Sequence, residues 1–324
     1  MTCRLPAAFL ALTFVVAVPG GALAQERYAV IVSGATGAPS YAQQYTAWTR
    51  TLTMALVERL KFDPERIVSL SESPDPARAA TAANVRRAFA TLRGQAKADD
   101  ILFVFLLGHG TFDGVDAKFN LVGPDMDLGE WSGLVRGFPG RAIVVNSAPA
   151  SSPFIEGLSG PRRIVVSATD SVAQRFDTVF PEYFIAAFSE ESSDIDKNGR
   201  TSIWEAFAWA AGAVRRHYQQ RGQLATERPL LDDNGDGVGR EASSQGADGS
   251  FASRTYLDMP AAGAPPTDDV LVELLQRRAS LTAEAEELQV KKAFMAPDEY
   301  AREFERIMLA LARVGRDIKV RNQS

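Results

Sequence analysis

Three groups of residues in this chain carry chemistry. The first is His109, which follows the apolar run 101–107 and is flanked by Gly108 and Gly110. An imidazole changes charge near neutral pH and acts as a general base wherever a nucleophile stands beside it. The second group is Asn146-Ser147-Ala148-Pro149-Ala150-Ser151-Ser152, at the end of another apolar run. The hydroxyls of Ser147, Ser151 and Ser152 need such a base to become nucleophiles. No Gly-x-Ser-x-Gly elbow surrounds them. Alternation along a strand turns Ser147 away from the side that Ala148 faces. Ser151 and Ser152 lie beyond Pro149, where nothing in the sequence holds them near His109.

The third group is acidic. The run Asp194-Ile-Asp196-Lys-Asn198-Gly199-Arg200-Thr-Ser202-Ile-Trp-Glu205 has oxygen side chains at loop positions 1, 3, 5, 9 and 12 and glycine at 6. Arg200 offers a main-chain carbonyl at position 7. That is the spacing of an EF-hand loop, which wraps about six to eight oxygens around one calcium ion. Thr201 stands where an aliphatic is usual, which weakens pairing of this loop with another of its kind. Asp232-Asp-Asn234-Gly-Asp236-Gly237-Val238 repeats the first half, with the Val238 carbonyl at position 7, but Ser243 stands at position 12. Glu241 could close this loop only out of register. Structural calcium is the expected cofactor. The competing reading of each loop is a solvated, Asx-rich turn, the first of them capping the helix that follows.

These groups need elements to hold them. Residues 28–34, 66–70, 101–107, 142–145 and 163–167 are short β-rich apolar runs, read as buried strands. Helical spacing separates them: Trp48, Leu52 and Leu56, then Val85, Phe89 and Leu92. Another helix begins at 183–188, and Trp204, Ala208, Ala211 and Val214 mark one more. Strands alternating with helices predict an α/β fold with a mostly parallel sheet covered by helices on both faces. Ligands and catalytic groups gather outside the carboxyl ends of such strands. His109 follows the third strand and Asn146-Ser147-Ala148 the fourth, so both fall on one edge.

The strand ending in Gly108-His109-Gly110, the next strand ending in small residues, and then Ile164-Val-Val-Ser-Ala-Thr169 resemble the caspase/legumain (haemoglobinase) cysteine peptidases. The resemblance covers about residues 27–190 and implies a caspase-like sheet, with His109 matching the catalytic histidine. Asn146 stands in place of the family's aspartate. The nucleophilic cysteine falls on Ala148, or on Pro149 if the match slips by one. Neither residue has a nucleophilic atom, and a thiolate is the nucleophile of that chemistry. The chain is similar to secreted bacterial members that have lost the cysteine. What the resemblance implies is a peptidase homologue without catalysis, binding a peptide or protein at the former active-site edge. Two alternatives stand beside it: a hydrolase using His109 with Ser147, Ser151 or Ser152, and a calcium-dependent scaffold acting through its tail.

The rest of the sequence bounds these readings. Residues 1–24 read as a secretory signal: Arg4, an apolar run 5–18, and a small-residue exit at Ala22-Leu23-Ala24 before Gln25. That run is shorter than the roughly 20 residues a transmembrane helix needs. The expected location is therefore periplasmic or extracellular. Cys3, the chain's 1 cysteine, would leave with the signal, so no disulfide supports the fold. A net charge of −5 argues against nucleic acid as a partner. The α/β domain is expected over 27–230, an Asp/Gly-rich loop and linker over 231–269, and a helical hairpin or coiled coil over 270–321. In that tail Leu271, Leu274, Arg278, Leu281, Ala285 and Leu288 keep a 3,4 spacing. After a break at 296–298, Tyr300, Phe304, Ile307, Leu311, Val314 and Ile318 resume it, with Pro297 suited to a first turn. Such helices pack back on the domain or join a second copy in a homo-oligomer.

Overall fold

The computed structural model describes residues 25–244, 248–258, 269–292 and 295–322. The expected signal at 1–24, Cys3 within it, and part of the expected linker lie outside them. In chain order the elements are β1 (Arg27–Ser33), α1 (Pro39–Met54), β2 (Ile67–Leu70), α2 (Ala82–Gln95), β3 (Ile101–Leu107), β4 (Gly110–Phe112), β5 (Ala117–Phe119), β6 (Met126–Asp127) and α3 (Leu128–Arg136). There follow β7 (Arg141–Asn146), α4 (Pro153–Leu158), β8 (Arg163–Ser167), α5 (Phe180–Ala187), α6 (Ile203–Gln220), β9 (Leu230–Asp232), α7 (Asp269–Lys291) and α8 (Pro297–Asn322).

All five strands expected from the sequence enter one sheet of 6 strands, in the order β2-β1-β3-β7-β8-β9. The first five are parallel and β9 runs antiparallel to β8. Both faces are buried, as continuous apolar strands require. Ile31, Phe103, Phe105, Val145 and Val166 pack with α1, α5 and α6 on one side. Val30, Leu102, Val104, Val144 and Val165 pack with α2, α3 and α4 on the other. The fold is therefore mixed α/β, a mostly parallel sheet flanked by helices. Pairing of Leu106 with Asn146 ends β3 and β7 together, so the segments after them emerge side by side. A small antiparallel sheet, β4-β5-β6, follows His109 directly.

The sheet continues past the expected boundary at residue 230. β9 is its sixth strand, and Leu231 and Leu257 are 1% and 0% exposed in the core. Arg27 binds this segment to the start of β1: its guanidinium donates to the carbonyls of Leu60, Lys61 and Leu257. The Asp/Gly-rich composition of 231–258 suggested a linker because its polar residues outnumber the few that reach the core.

The tail forms the expected helical hairpin. Leu271 and Leu275 at the start of α7 share a core cluster with Val314 and Ile318 near the end of α8, so the helices are antiparallel and packed on the sheet domain. Farther out, Ala285, Leu288 and Ile307 form a small cluster with Tyr300, Phe304 and Leu311. No helix among the described residues is long and apolar enough to cross a membrane.

Leu275 is 1% exposed at this junction. Leu275→Ala should cost about 2–5 kcal/mol of stability and expose the hairpin base to limited proteolysis before the sheet unfolds. Cleavage that stays uniform along the chain would contradict separate docking of the hairpin.

Candidate functional site

His109 leaves β3 through Gly108, whose φ of +153° lies in a region few side chains adopt. The imidazole is 26% exposed. Its Nε2 lies 3.3 Å from the main-chain oxygen of Thr36 and 3.4 Å from Tyr45 Oη. The Thr36 carbonyl can only accept, so a bond to it uses an Nε2–H, whereas Tyr45 Oη can donate or accept. Nδ1 faces Asp177 Oδ1 at 3.7 Å. The Tyr41 ring meets the imidazole edge-on with centroids 4.9 Å apart, and Tyr41 Oη donates to Asp177. That hydrogen bond raises the Tyr41 phenol above its ordinary pKa. Burial first, then the charge of Asp177, raises Tyr45 further, so it stays a neutral phenol.

Two of the three serines are bonded away from His109. Ser147 is 1% exposed, and its hydroxyl donates to Leu106 O at 2.7 Å. Ser151 is equally buried, and its hydroxyl lies 3.2 Å from that of Thr169. Ser152 precedes α4 and makes no side-chain cap bond there. Asn146 is buried and accepts the Ala148 N–H at 3.1 Å, a local turn bond. Ala148 is 0% exposed and belongs to the core beside α2, α3 and α4. The segment after His109 covers it: a Cβ on Gly110 would stand 2.4 Å from Pro149 O and 3.3 Å from Ala148 Cβ. Residues 170–179 close over the other side. Gln174 O accepts from Ala150 N, and Thr178 Oγ1 donates to Ser147 O.

Open space lies beyond Thr36 and Tyr45, the two residues that His109 Nε2 approaches. A cavity of about 710 Å³ is lined by Ser33, Thr36, Tyr45, Thr49, Arg50 and Glu72, at the carboxyl ends of β1 and β2. Glu72 accepts from both the amide and the hydroxyl of Thr36, bonds that pull its carboxyl below the usual range. Thr49 Oγ1 has no hydrogen-bond partner. Sequence reasoning missed this wall, because Thr36, Tyr45 and Glu72 come from three separate turns and helices. It also missed that His217 is half-buried and bonded through Nδ1 to Tyr183 Oη at 2.8 Å.

The acidic loops share one internal geometry. In the first, the amides of Gly199, Asn198 and Arg200 donate to Asp194, Asp196 and Asn198. In the second, those of Gly237, Asp236 and Val238 donate to Asp232, Asn234 and Asp236. Loop positions 1, 3 and 5 thus accept from positions 6, 5 and 7 in both. Carboxylate oxygens of Asp194, Asp196 and Glu205 lie within 4.8 Å of one another, an oxygen cluster that could hold a hard cation. Glu205 doubles as a capping residue. It accepts from the amides of Ile195, Asp196 and Ser202 and from Ser202 Oγ, closing a capping box at α6. Burial, and next the charge of Asp196, push Glu205 up to about 8. Burial also raises Asp196, to about 6. The Arg200 side chain is engaged by Asp258, its Nε donating to Asp258 Oδ2 at 2.8 Å.

The second loop is completed by a residue the sequence pattern did not include. Asp248, not Ser243 or Glu241, joins Asp232 and Asp236 within 4.8 Å. Glu241 instead lies 3.9 Å from Arg228. Asp248 is carried there by a reciprocal clasp. The Asp233 amide donates to Asp248 Oδ1, and the Asp233 carboxylate accepts from the amides of Gly249 and Ala252. Gly249 permits the turn at φ +96°, where a Cβ would lie 2.5 Å from Trp204 Nε1.

No family model and no curated protein matches the chain. Among solved structures it is similar to protein GSU0716 of Geobacter sulfurreducens, with a TM-score of 0.42 and 14% identity over 64% of this chain and 93% of that one.

Two outcomes follow from this geometry. In the chain from residue 25, which has no cysteine, Ala148→Cys should cost about 1–3 kcal/mol by overpacking. Its thiol should react with iodoacetamide only after denaturation, and fast labelling of the folded chain would contradict the packing. The second outcome concerns pH in the presence of a chelator. Glu205, Asp196 and Asp248 hold protons when folded at pH values where the unfolded chain, near 4.5 or 3.8, has released them. The folded state then binds more protons, so stability falls as pH rises from about 4.5 to about 8. His217, lowered by burial, works in the opposite sense. The thermal midpoint should decline across that window; a midpoint that climbs would contradict the assignment.

Proposed function

We propose that this chain is an exported, caspase/legumain-like peptidase homologue without catalytic activity, which binds a peptide or protein segment at the carboxyl edge of its sheet. The observation that carries this reading is the contrast across His109. On one flank the strand end is filled by a buried methyl group, Ala148, and by Ser147 and Ser151, whose hydroxyls are engaged elsewhere. On the other flank the imidazole meets Thr36 and Tyr45, which line a cavity of about 710 Å³ with hydroxyls, a guanidinium and a carboxylate in its wall. A general base with no nucleophile in reach has no acyl-transfer chemistry to perform. A concave site with a few convergent polar groups remains suited to binding.

Calcium in the loop 194–205 belongs to the same reading. Three carboxylates gather at one point there, two of them buried, and both buried groups are pushed toward their neutral forms. A divalent cation would relieve that penalty and clamp the entrance to α6 without taking part in chemistry. Self-association through the hairpin is compatible with Met308 and Leu309, which lie 45% and 51% exposed on α8.

Screening an immobilised peptide library tests the binding site. Bound peptides should lose about tenfold or more in affinity on Glu72→Gln or Arg50→Ala, because each removes a charged partner. Peptide binding that ignores both substitutions would overturn the assignment of this cavity.

A further inference from the structure

The second acidic cluster carries an imbalance that its own residues do not correct. Asp232, Asp236 and Asp248 bring three carboxylates within 4.8 Å. The guanidinium of Arg240 answers them: Nε lies 3.1 Å from Asp248 Oδ2, and a terminal nitrogen lies 3.8 Å from Asp236 Oδ2. The first contact is close but out of line, so Asp248 Oδ2 and Arg240 Nε both remain without a hydrogen bond. The Asp248 side chain is only 5% exposed. A buried carboxylate oxygen with no donor is costly, more so among like charges. Asp233 does not share the cluster, since it is engaged by the amides of Gly249 and Ala252.

We propose that Asp232, Asp236 and Asp248 form a second site for a hard divalent cation of calcium size, in which Asp248 supplies the closing carboxylate that the loop 232–238 lacks. Three negative charges against one guanidinium leave a deficit that a divalent ion balances. Asp248 Oδ2, ion-paired with Arg240 but without a hydrogen bond, is the ligand atom the ion would take over, and oxygen donors alone suit calcium rather than a softer metal. Arg240 holds the position of the ion in the ion-free chain. Its side chain is 36% exposed, so it can swing into water when the ion enters.

The site has a reader. Gln276 of α7 donates through Nε2 to the main-chain oxygen of Asp248 at 2.6 Å. Fixing Asp248 on an ion therefore steadies the seat on which the hairpin docks. The proposal shares its cation chemistry with the loop 194–205 but depends on different residues, so the two fail separately.

Calcium titration calorimetry on the chain from residue 25 tests it. Asp194→Asn should leave one site, and adding Asp248→Asn should abolish that site. Adding Arg240→Gln to Asp194→Asn should instead tighten binding by about tenfold, a gain that a damaged fold would not give. Hydrogen exchange of residues 269–280 in Asp194→Asn should slow on addition of calcium. The proposal is overturned if Asp194→Asn removes all binding, an outcome that leaves the loop 194–205 reading intact. It is overturned equally if Asp248→Asn binds as before, or if Arg240→Gln weakens binding. Absence of calcium binding in the unaltered chain would sink both sites.

Discussion

The approach of Gly110 to the strand end at Ala148 and Pro149 governs the functional edge. Two adjacent parallel strands, β3 and β7, end in register, and the chain after each must leave through the same small volume. Gly110 has no Cβ, so its backbone can lie against Pro149 O and the Ala148 methyl group. That contact leaves no room at the strand end for a side chain on residue 110. It also turns His109 toward Thr36, Tyr45 and Asp177. The close packing at Ala148 and the setting of the imidazole are thus two sides of one contact. The cavity lies where β1 and β2 end.

The same chain places buried carboxylates where it has no disulfide to hold its loops. Each acidic loop is shaped by its own side chains accepting the following amides, which sets the turn without any partner. The third carboxylate of each cluster comes from outside that turn. Glu205 arrives on α6 as the capping residue, and Asp248 arrives through its clasp with Asp233. Both loops are then touched by α7. Arg278 donates to the carbonyl of Ile195 and Gln276 to that of Asp248. The hairpin base, the acidic clusters and the edge strand β9 therefore form one structural unit on the side of the sheet away from β2.

The fold was largely legible in the sequence because buried parallel strands are nearly uniform apolar runs. Ile101–Leu107 and Arg163–Ser167 have the bounds expected of them, and the helical spacing of Val85, Phe89 and Leu92 marks α2. β9 escaped notice because only Leu230 and Leu231 are apolar and an acidic loop follows at once. The hairpin was visible as a repeat, but whether it would dock or pair with another chain depends on tertiary packing. At the candidate site, residues adjacent in sequence were legible: His109, the 146–152 segment, and the loop spacings. Tyr45, Glu72, Asp177 and Asp248 were not. Each meets the site from a distant element, and contacts of that kind leave no local pattern.

Peptide-library hydrolysis by the purified chain from residue 25, with calcium present and His109→Ala in parallel, bears most directly on the central claim. The account expects no turnover above that of the substituted protein. Cleavage abolished by His109→Ala would contradict it, since a working nucleophile would then lie within reach of the imidazole.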